Sequence, residues 1–419
     1  MKTLLKNAKI LTDSCSEIIS GNIEIDNNII TYIGNRKVDE HSFDKVVECN
    51  QNLLMSGFID CHTHSPMVIF KGVGEGLNLE SWLFDCIFKY EEKLTLEDVY
   101  YATKLAILEY LKNGITTIND MYYFPEQTAK ACYESGLRAF VQFDKDSLTD
   151  TENSFNSCKK YEPLVNGTFG CHSVYTAKEE RFCNAIKLSK KYNRLISTHM
   201  SETLTEVGNC DKDNGVTPVK LLENYGVFDI PSLVYHATYL DKDDFKILKD
   251  YNVSVCTNPC SNLKLGSGIA PINSLLNNGV NVCLGTDGSS SNNRLDMFRE
   301  MYLVGCLQKA ELKNSYIITC EQAIKIATEN GAKALNQNKI GSLKVGNFAD
   351  IIMINLQGVN NATYVNIKSN LVYASGTEDV LMTMVDGKIL YKDGNYFIDM
   401  PKEEIFEKVK LIEKRLNLE

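Results

Sequence analysis

From residue 53 onward one pattern recurs, and it constrains the fold more than any other feature of the chain. Short apolar, β-branched runs end in polar or chemically useful residues, and stretches of helical period follow each of them. The runs are LLMSGFIDCHTH (53–64), GITTINDM (114–121), RAFVQFD (138–144), GTFGCHSVY (167–175), LISTHMSE (195–202), SLVYHATY (232–239), VSVCTNP (253–259) and NVCLGTDG (281–288). Helical candidates between them include DVYYATKLAILEYLKN (98–113), EERFCNAIKLSKKYN (179–193) and DDFKILKDYN (243–252). Eight βα units over roughly 250 residues predict an α/β chain folded as a parallel (β/α)8 TIM barrel. A doubly wound open sheet is the competing architecture, but it gathers its site at one switch point rather than at many strand ends.

The two chain ends read differently. Residues 1–52 alternate apolar and polar, with GNIEIDNNIITYIG suggesting two strands across an Asp26-Asn27-Asn28 turn. Near the other end, LMTMVDGKILYKDG places Asp386-Gly387 between two alternating runs, a strong hairpin signal. Neither end has enough apolar residues for its own core, so both are expected to close into one small β-sandwich beside the barrel. KEEIFEKVKLIEKRL (402–416) reads as an amphipathic helix.

Composition narrows the function classes. A formal charge of -10 argues against nucleic acid or anionic membrane as the main partner. No apolar run approaches the roughly 20 residues that span a bilayer. MKTLLKNAKILTD is interrupted by polar residues too early for a signal peptide, so a cytoplasmic location is expected. The fourteen cysteines are scattered without a CxxC pair, as expected of reduced, buried thiols.

The histidines carry the chemistry. Of six, His62, His64, His172, His199 and His236 fall at or near the carboxyl ends of expected barrel strands, the rim where barrel active sites are built. The sixth, His41, lies in a polar stretch and is expected at the surface. Strand alternation puts His62 and His64 on one face, a poor way to fill a core and a good way to hold a metal ion. With His199 and Asp287 they would supply the imidazole and carboxylate ligands of one divalent transition metal, zinc first, with iron or manganese as alternatives. A lone histidine is ordinarily structural; here number, type and position agree. A binuclear site would need a bridging ligand such as a modified lysine on strand four, and GTFGCHSVY has none. Glu202, three residues after His199, would stand beside the metal water as a proton carrier rather than a ligand, although an exposed loop glutamate is the bland alternative. His236 could donate to a polarised substrate atom or to the hydroxide, and Asp287 could take the water's proton.

GFIDCHTHSPM, NGITTINDMY, HMSET, NPCSNLKLGSGIAP, LGTDGSSSNN and VGNFADIIMI resemble stretches of the amidohydrolase superfamily, in its aminopurine-nucleoside deaminase branch. That branch includes S-adenosylhomocysteine and 5'-methylthioadenosine deaminases and triazine-hydrolase relatives. The resemblance implies metal ligands His62, His64, His199 and Asp287, with Glu202, His236 and Asp287 catalytic. It also implies substrate contacts from Trp82, Glu91, His172 and Ser291. Core packing is the plain alternative for Trp82. The implied organisation is 1–55 as the N-terminal part of a β-sandwich, 56–343 as a metal-dependent hydrolase barrel, and 344–419 as the rest of the sandwich plus a terminal helix.

The implied activity is hydrolytic deamination of an adenosine-like nucleoside (5'-methylthioadenosine, 5'-deoxyadenosine, adenosine or S-adenosylhomocysteine). Hydroxide generated at the metal would attack C6 and release ammonia. A guanine-type deaminase, a chlorotriazine hydrolase or a non-catalytic scaffold are the alternatives. The expected partner is a small nucleoside; a homo-oligomer is left open. One departure stands out. Relatives that accept S-adenosylhomocysteine carry arginines after strand three, where this chain has Phe143 and no arginine between Arg138 and Arg181. Uncharged 5' substituents are therefore expected to be preferred; the interval offers only Lys145, Lys159, Lys160 and Lys178, of which Lys145 is the main candidate to reach a carboxylate tail.

Overall fold

The computed structural model describes residues 1–12, 15 and 17–418. Eight strands follow one another round a single sheet: Phe58–Thr63, Ile115–Asp120, Arg138–Phe143, Val165–Gly170, Ile196–Met200, Ser232–His236, Ser254–Thr257 and Asn281–Leu284. Neighbours pair in parallel, and a parallel bridge between Thr63 and Asp287 joins the last strand to the first. Helices in the connections complete the (β/α)8 barrel. Both faces of its strands are covered, which is why they read as apolar runs rather than clean alternations. Helices Leu96–Lys112, Glu179–Tyr192 and Lys242–Asp250 stand where helical period placed them. Two of these start at capping boxes, Thr95 with Asp98 and Asp241 with Asp244.

The run 53–64 is not one strand. Leu53–Ser56 belongs to a second sheet and Phe58–Thr63 to the barrel, with the break at Gly57. A Cβ at Gly57 would lie 2.1 Å from Thr116 Cγ2, so only glycine lets the two backbones approach where the chain changes sheets. The Gly57 amide donates to Asp350 O of the second sheet, and the next amide, Phe58, donates to Gly114 O at the barrel.

That second sheet is mixed and nine-stranded, built from both chain ends. It uses Lys2–Leu11, Ile18–Asp26, Ile29–Gly34, Lys45–Glu48, Leu53–Ser56, Ile351–Ile354, Val380–Val385, Lys388–Lys392 and Asn395–Tyr396. Its first strand changes partner along one edge: Thr3–Lys6 pair with Lys45–Glu48, and Lys9–Ile10 with Leu53–Leu54. Between them Asn7 has φ 59°, and the register slips, bending the sheet around its own core of Leu5, Ile10, Ile23, Ile25, Ile351 and Met382. Asn27 and the Asp386-Gly387 pair adopt the positive φ of tight hairpin turns. Helix Lys402–Leu416 buries Ile405, Val409, Ile412 and Leu416, and Arg415 bonds Asp98 on the helix Leu96–Lys112.

Arg138, at the start of the third barrel strand, ties the two sheets together. Its guanidinium donates to Asp350 at 2.6 and 3.2 Å and to Asp386 at 3.1 Å, and Arg138 and Asp350 are both buried. Arg138→Ala should therefore leave Asp350 as an unpaired buried carboxylate and destabilise the protein by ~3–5 kcal/mol in urea unfolding. Arg138→Met combined with Asp350→Leu should recover much of that loss; an equal or larger loss in the double variant would count against this account.

Candidate active site

The carboxyl rim of the barrel opens into a cavity of about 490 Å3. His62 and His64 lie on one face of the first strand, their ring centroids 4.7 Å apart. His199, near the end of the fifth strand, brings its ring to 4.7 Å from His62 and 5.5 Å from His64. His236 ends the sixth strand, 5.3 Å from His199 by ring centroid. Asp287, three residues past the eighth strand, holds Oδ1 at 3.3 Å from His62 Nε2 and 3.2 Å from His64 Nε2. One ligand atom each from His62, His199, His236 and Asp287 lies within 4.8 Å of the others.

The imidazoles are held from behind. Nδ1 of His64 donates to Met121 O at 2.5 Å, and Nδ1 of His199 to His172 O at 2.7 Å. A carbonyl only accepts, so both rings carry a proton on Nδ1 and turn Nε2 toward the centre, as a lone pair on His199 and facing the Asp287 carboxylate on His64. Asn262 Oδ1 accepts from His236 Nδ1 at 2.7 Å in the same way. Asp287 Oδ2 takes hydrogen bonds from Ser261 at 2.5 Å and Ser291 at 3.1 Å, which leaves Oδ1 for the histidines. Burial drives His62 down to about 3 and His199 well below the usual range, so both imidazoles are neutral, the ligating form. For His64, burial opposes protonation but the Asp287 carboxylate outweighs it, lifting the group to about 9.

A buried His/His/His/Asp group of this kind fits a metal site. Both ring nitrogens of His62 and Nε2 of His236 are buried without a hydrogen-bond partner, although His62 Nε2 sits within ion-pair distance of Asp287. Donors left bare at the centre of three imidazoles and a carboxylate are what a divalent cation of the zinc type would satisfy.

Glu202 lines the cavity, is 3% exposed, and places Oε1 3.8 Å from His236 Nδ1. Burial first, then the nearby charges of Asp287, Glu206 and Glu80, raise its carboxyl well above the usual range and favour the acid form. Glu206 holds the turn that carries it: its two oxygens accept from the amides of Ser201 at 3.0 Å and Glu202 at 2.7 Å. Trp82, Glu91 and His172 also line the cavity. Trp82 donates to Val73 O at 3.2 Å, and burial lifts Glu91 to about 7.

The structure places two residues singled out in the sequence away from the cavity wall. Ser291 is buried behind Asp287, bonded to it and to Ser261, and is not among the cavity-lining residues. Phe143 does not face the cavity either. Strand alternation turns it outward against Phe155, at a ring distance of 5.7 Å, while its neighbours Gln142 and Asp144 line the wall. A guanidinium is nevertheless present: Arg181 reaches the cavity from the helix after strand four. Lys145 is engaged with Glu126 and lies outside the lining. Arg181 and Glu206 lie in helices, beyond the strand ends where the sequence signal is concentrated, and Asp144 closes the run RAFVQFD with nothing local to mark it as a cavity residue. Ser261 and Asn262 stand in the NPCSN segment, where the sequence pattern gave them no roles.

Residues 53–390 match the amidohydrolase family model. The chain belongs to the amidohydrolase family. It is 36% identical over 427 residues to a 5-methylthioadenosine/S-adenosylhomocysteine deaminase of Caldicellulosiruptor saccharolyticus, covering 99% of each chain. It is 38% identical over 400 residues to a 5'-deoxyadenosine deaminase of Methanocaldococcus jannaschii, covering 92% of this chain and 94% of that one. Among solved structures, an adenosine deaminase from Xanthomonas campestris with bound zinc superposes with a TM-score of 0.94 at 27% identity. That superposition covers 100% of this amidohydrolase and 99% of the other chain.

The ligand set generates a direct expectation. The purified amidohydrolase should carry close to one equivalent of transition metal per chain by elemental analysis. His64→Ala or Asp287→Ala should lose most of it. Two equivalents would argue for a binuclear centre, and metal-free but fully active protein would remove the metal from the chemistry.

Proposed function

We propose that this amidohydrolase is a hydrolytic deaminase of an adenosine-like nucleoside, converting the C6 amine to a carbonyl and releasing ammonia. One observation carries the reading. A buried carboxylic acid, Glu202, and His236 share a single cavity with a His/Asp ligand group, in a chain about as long as its deaminase-named relatives. His62, His64, His199 and Asp287 would hold one divalent cation. The group whose ligand atoms lie within 4.8 Å of one another has His236 in the place of His64, which instead stands 3.2 Å from Asp287 Oδ1. Zinc is favoured as the cation by the bound zinc of the Xanthomonas relative. Such a cation acidifies a coordinated water enough to supply hydroxide near neutral pH.

The protein's own groups then account for the remaining proton movements. Glu202, kept in its acid form by burial, donates to ring nitrogen N1 as the nucleophile adds at C6, so the ring need not carry the negative charge. Asp287 accepts the proton given up by water and hands it to the departing amine, its other oxygen pinned by Ser261 and Ser291, while the hydroxyl proton left at C6 returns to Glu202 as the carbonyl forms. His236, fixed by Asn262, presents Nε2 to orient the attacking oxygen. Trp82 and the apolar wall of Leu79, Leu83 and Phe88 would receive the purine and exclude water, and Glu91, which lines the same cavity, would accept from the ribose hydroxyls.

A panel of adenosine, 5'-deoxyadenosine, 5'-methylthioadenosine and S-adenosylhomocysteine, followed by ammonia release and the shift to an inosine-like absorbance, tests the reading. Absence of turnover across the metal-loaded panel would reject it. Glu202→Gln keeps shape and most hydrogen bonding but cannot carry a proton. It should lower kcat by at least about 10²-fold with metal content unchanged. Loss of metal together with activity would make Glu202 a ligand or structural residue instead.

A further inference from the structure

The cavity contains an ion pair that the deamination chemistry does not use. Asp144 follows the third strand directly, where the chain turns Phe143 outward, and Arg181 lies in the first turn of the helix Glu179–Tyr192. Both line the cavity, and Arg181 Nη2 donates to Asp144 Oδ1 at 2.7 Å. The second acidic neighbour, Asp146, is fully exposed and 3.7 Å from Nη1. Arg181 Nε is buried and has no hydrogen-bond partner.

A guanidinium offers five donors and a carboxylate about four acceptor positions, so this pair is far from saturated. It is also neutral as a unit. A ligand tail with a single charge would leave one partner uncompensated inside the cavity, and unpaired charge out of water is costly. A tail carrying a carboxylate and an ammonium together can exchange partners with the pair. Its carboxylate meets the arginine fork and its ammonium meets the aspartate, and no charge is left over.

We propose that Arg181 and Asp144 form the subsite for the 5' end of the nucleoside, selecting a zwitterionic α-amino-acid tail. The proposal rests on the nucleoside-deaminase reading and names the substrate class of that same site. It removes the ground for expecting uncharged 5' groups to be preferred, because the guanidinium missing after strand three enters from the helix after strand four.

Steady-state kinetics on the metal-loaded full chain decide it, comparing S-adenosylhomocysteine, its deamino analogue (carboxylate only) and 5'-methylthioadenosine. Arg181→Met should lower the ratio of kcat/KM for S-adenosylhomocysteine over 5'-methylthioadenosine at least about tenfold, with Arg181→Lys recovering part of it. Asp144→Asn should narrow the wild-type preference for S-adenosylhomocysteine over the deamino analogue. Metal content and Tm of each variant report folding, and if Arg181→Met fails to fold, the Lys and Asn variants carry the comparison. Ratios that stay within about twofold of wild type, or equal losses on all three nucleosides, overturn the subsite while the deaminase reading stands. Wild-type protein that deaminates none of the three overturns the deaminase reading and the subsite with it.

Discussion

The site depends on the seam where the barrel closes. Strands one and eight do not pair along their lengths; they are joined by hydrogen bonds through side chains and loop backbone. Asp60, fully buried in the first strand, accepts from Thr286 N at 2.9 Å and Thr286 Oγ1 at 2.5 Å. Asp287 N then donates to His62 O at 2.8 Å, and Thr63 Oγ1 to Asp287 O at 3.3 Å. Burial pushes the Asp60 carboxyl up to about 7 against the pull of those donors, so the seam includes a group that is costly to bury. What it secures is position: the carboxylate of Asp287 faces the two histidines projecting from the strand it has just met.

Backbone conformation at the rim follows the same logic. Ser201, His236, Ala237 and Asp287 have φ of 52°, 69°, 46° and 60°, left-handed values that cost a non-glycine residue roughly 1–2 kcal/mol each. All four stand just past or at the ends of strands five, six and eight. Ending a strand this abruptly swings the next side chain over the barrel mouth instead of along its wall. Neighbouring strand ends offset the cost, with Ala237 N donating to Met200 O at 3.0 Å and Thr238 N to Ser201 O at 2.9 Å. Strain gathered where the reactive groups sit is the arrangement expected of a functional rim.

The barrel and the histidines clustered at its rim were legible in the sequence because both leave short-range marks. Apolar runs of strand length ending in His, Glu or Asp announce a parallel barrel and its rim together. The mixed sheet was legible as to which chain ends build it, but the change of sheets at Gly57 depends on Thr116, distant in sequence, and no local pattern records it. Phe143 shows the limit most clearly. Reading it as a wall of the cavity required the strand's facing, and a shift of one residue reverses every side chain. Ser291 matched a stretch that carries function, yet a helical turn after Gly288 points it back at Asp287. Arg181 was invisible for the opposite reason. It arrives from a helix, and nothing in its neighbourhood distinguishes a guanidinium that enters the cavity from one that stays in solvent.

Parallel order also explains how the groups around the reacting centre are held. His64 on strand one is anchored by Met121 past strand two, and His199 on strand five by His172 past strand four. His236 on strand six is anchored by Asn262, and Asp287 past strand eight by Ser261, both from the segment after strand seven. Each of these four side chains is thus oriented by the segment past a neighbouring strand, because parallel strands deliver all their carboxyl ends to one rim. His62 is the exception. Its ring nitrogens have no hydrogen bond, and its ring instead stacks on Tyr235 at a centroid distance of 3.7 Å, nearly parallel at 20°. Tyr235 belongs to strand six, across the barrel, and receives at its hydroxyl a hydrogen bond from Asn119 on strand two. The deepest ligand candidate is therefore positioned by packing in the barrel interior, and the shallower ones by hydrogen bonds at the rim. This division puts the polar anchors where strand ends offer free carbonyls and leaves the interior to an aromatic wall.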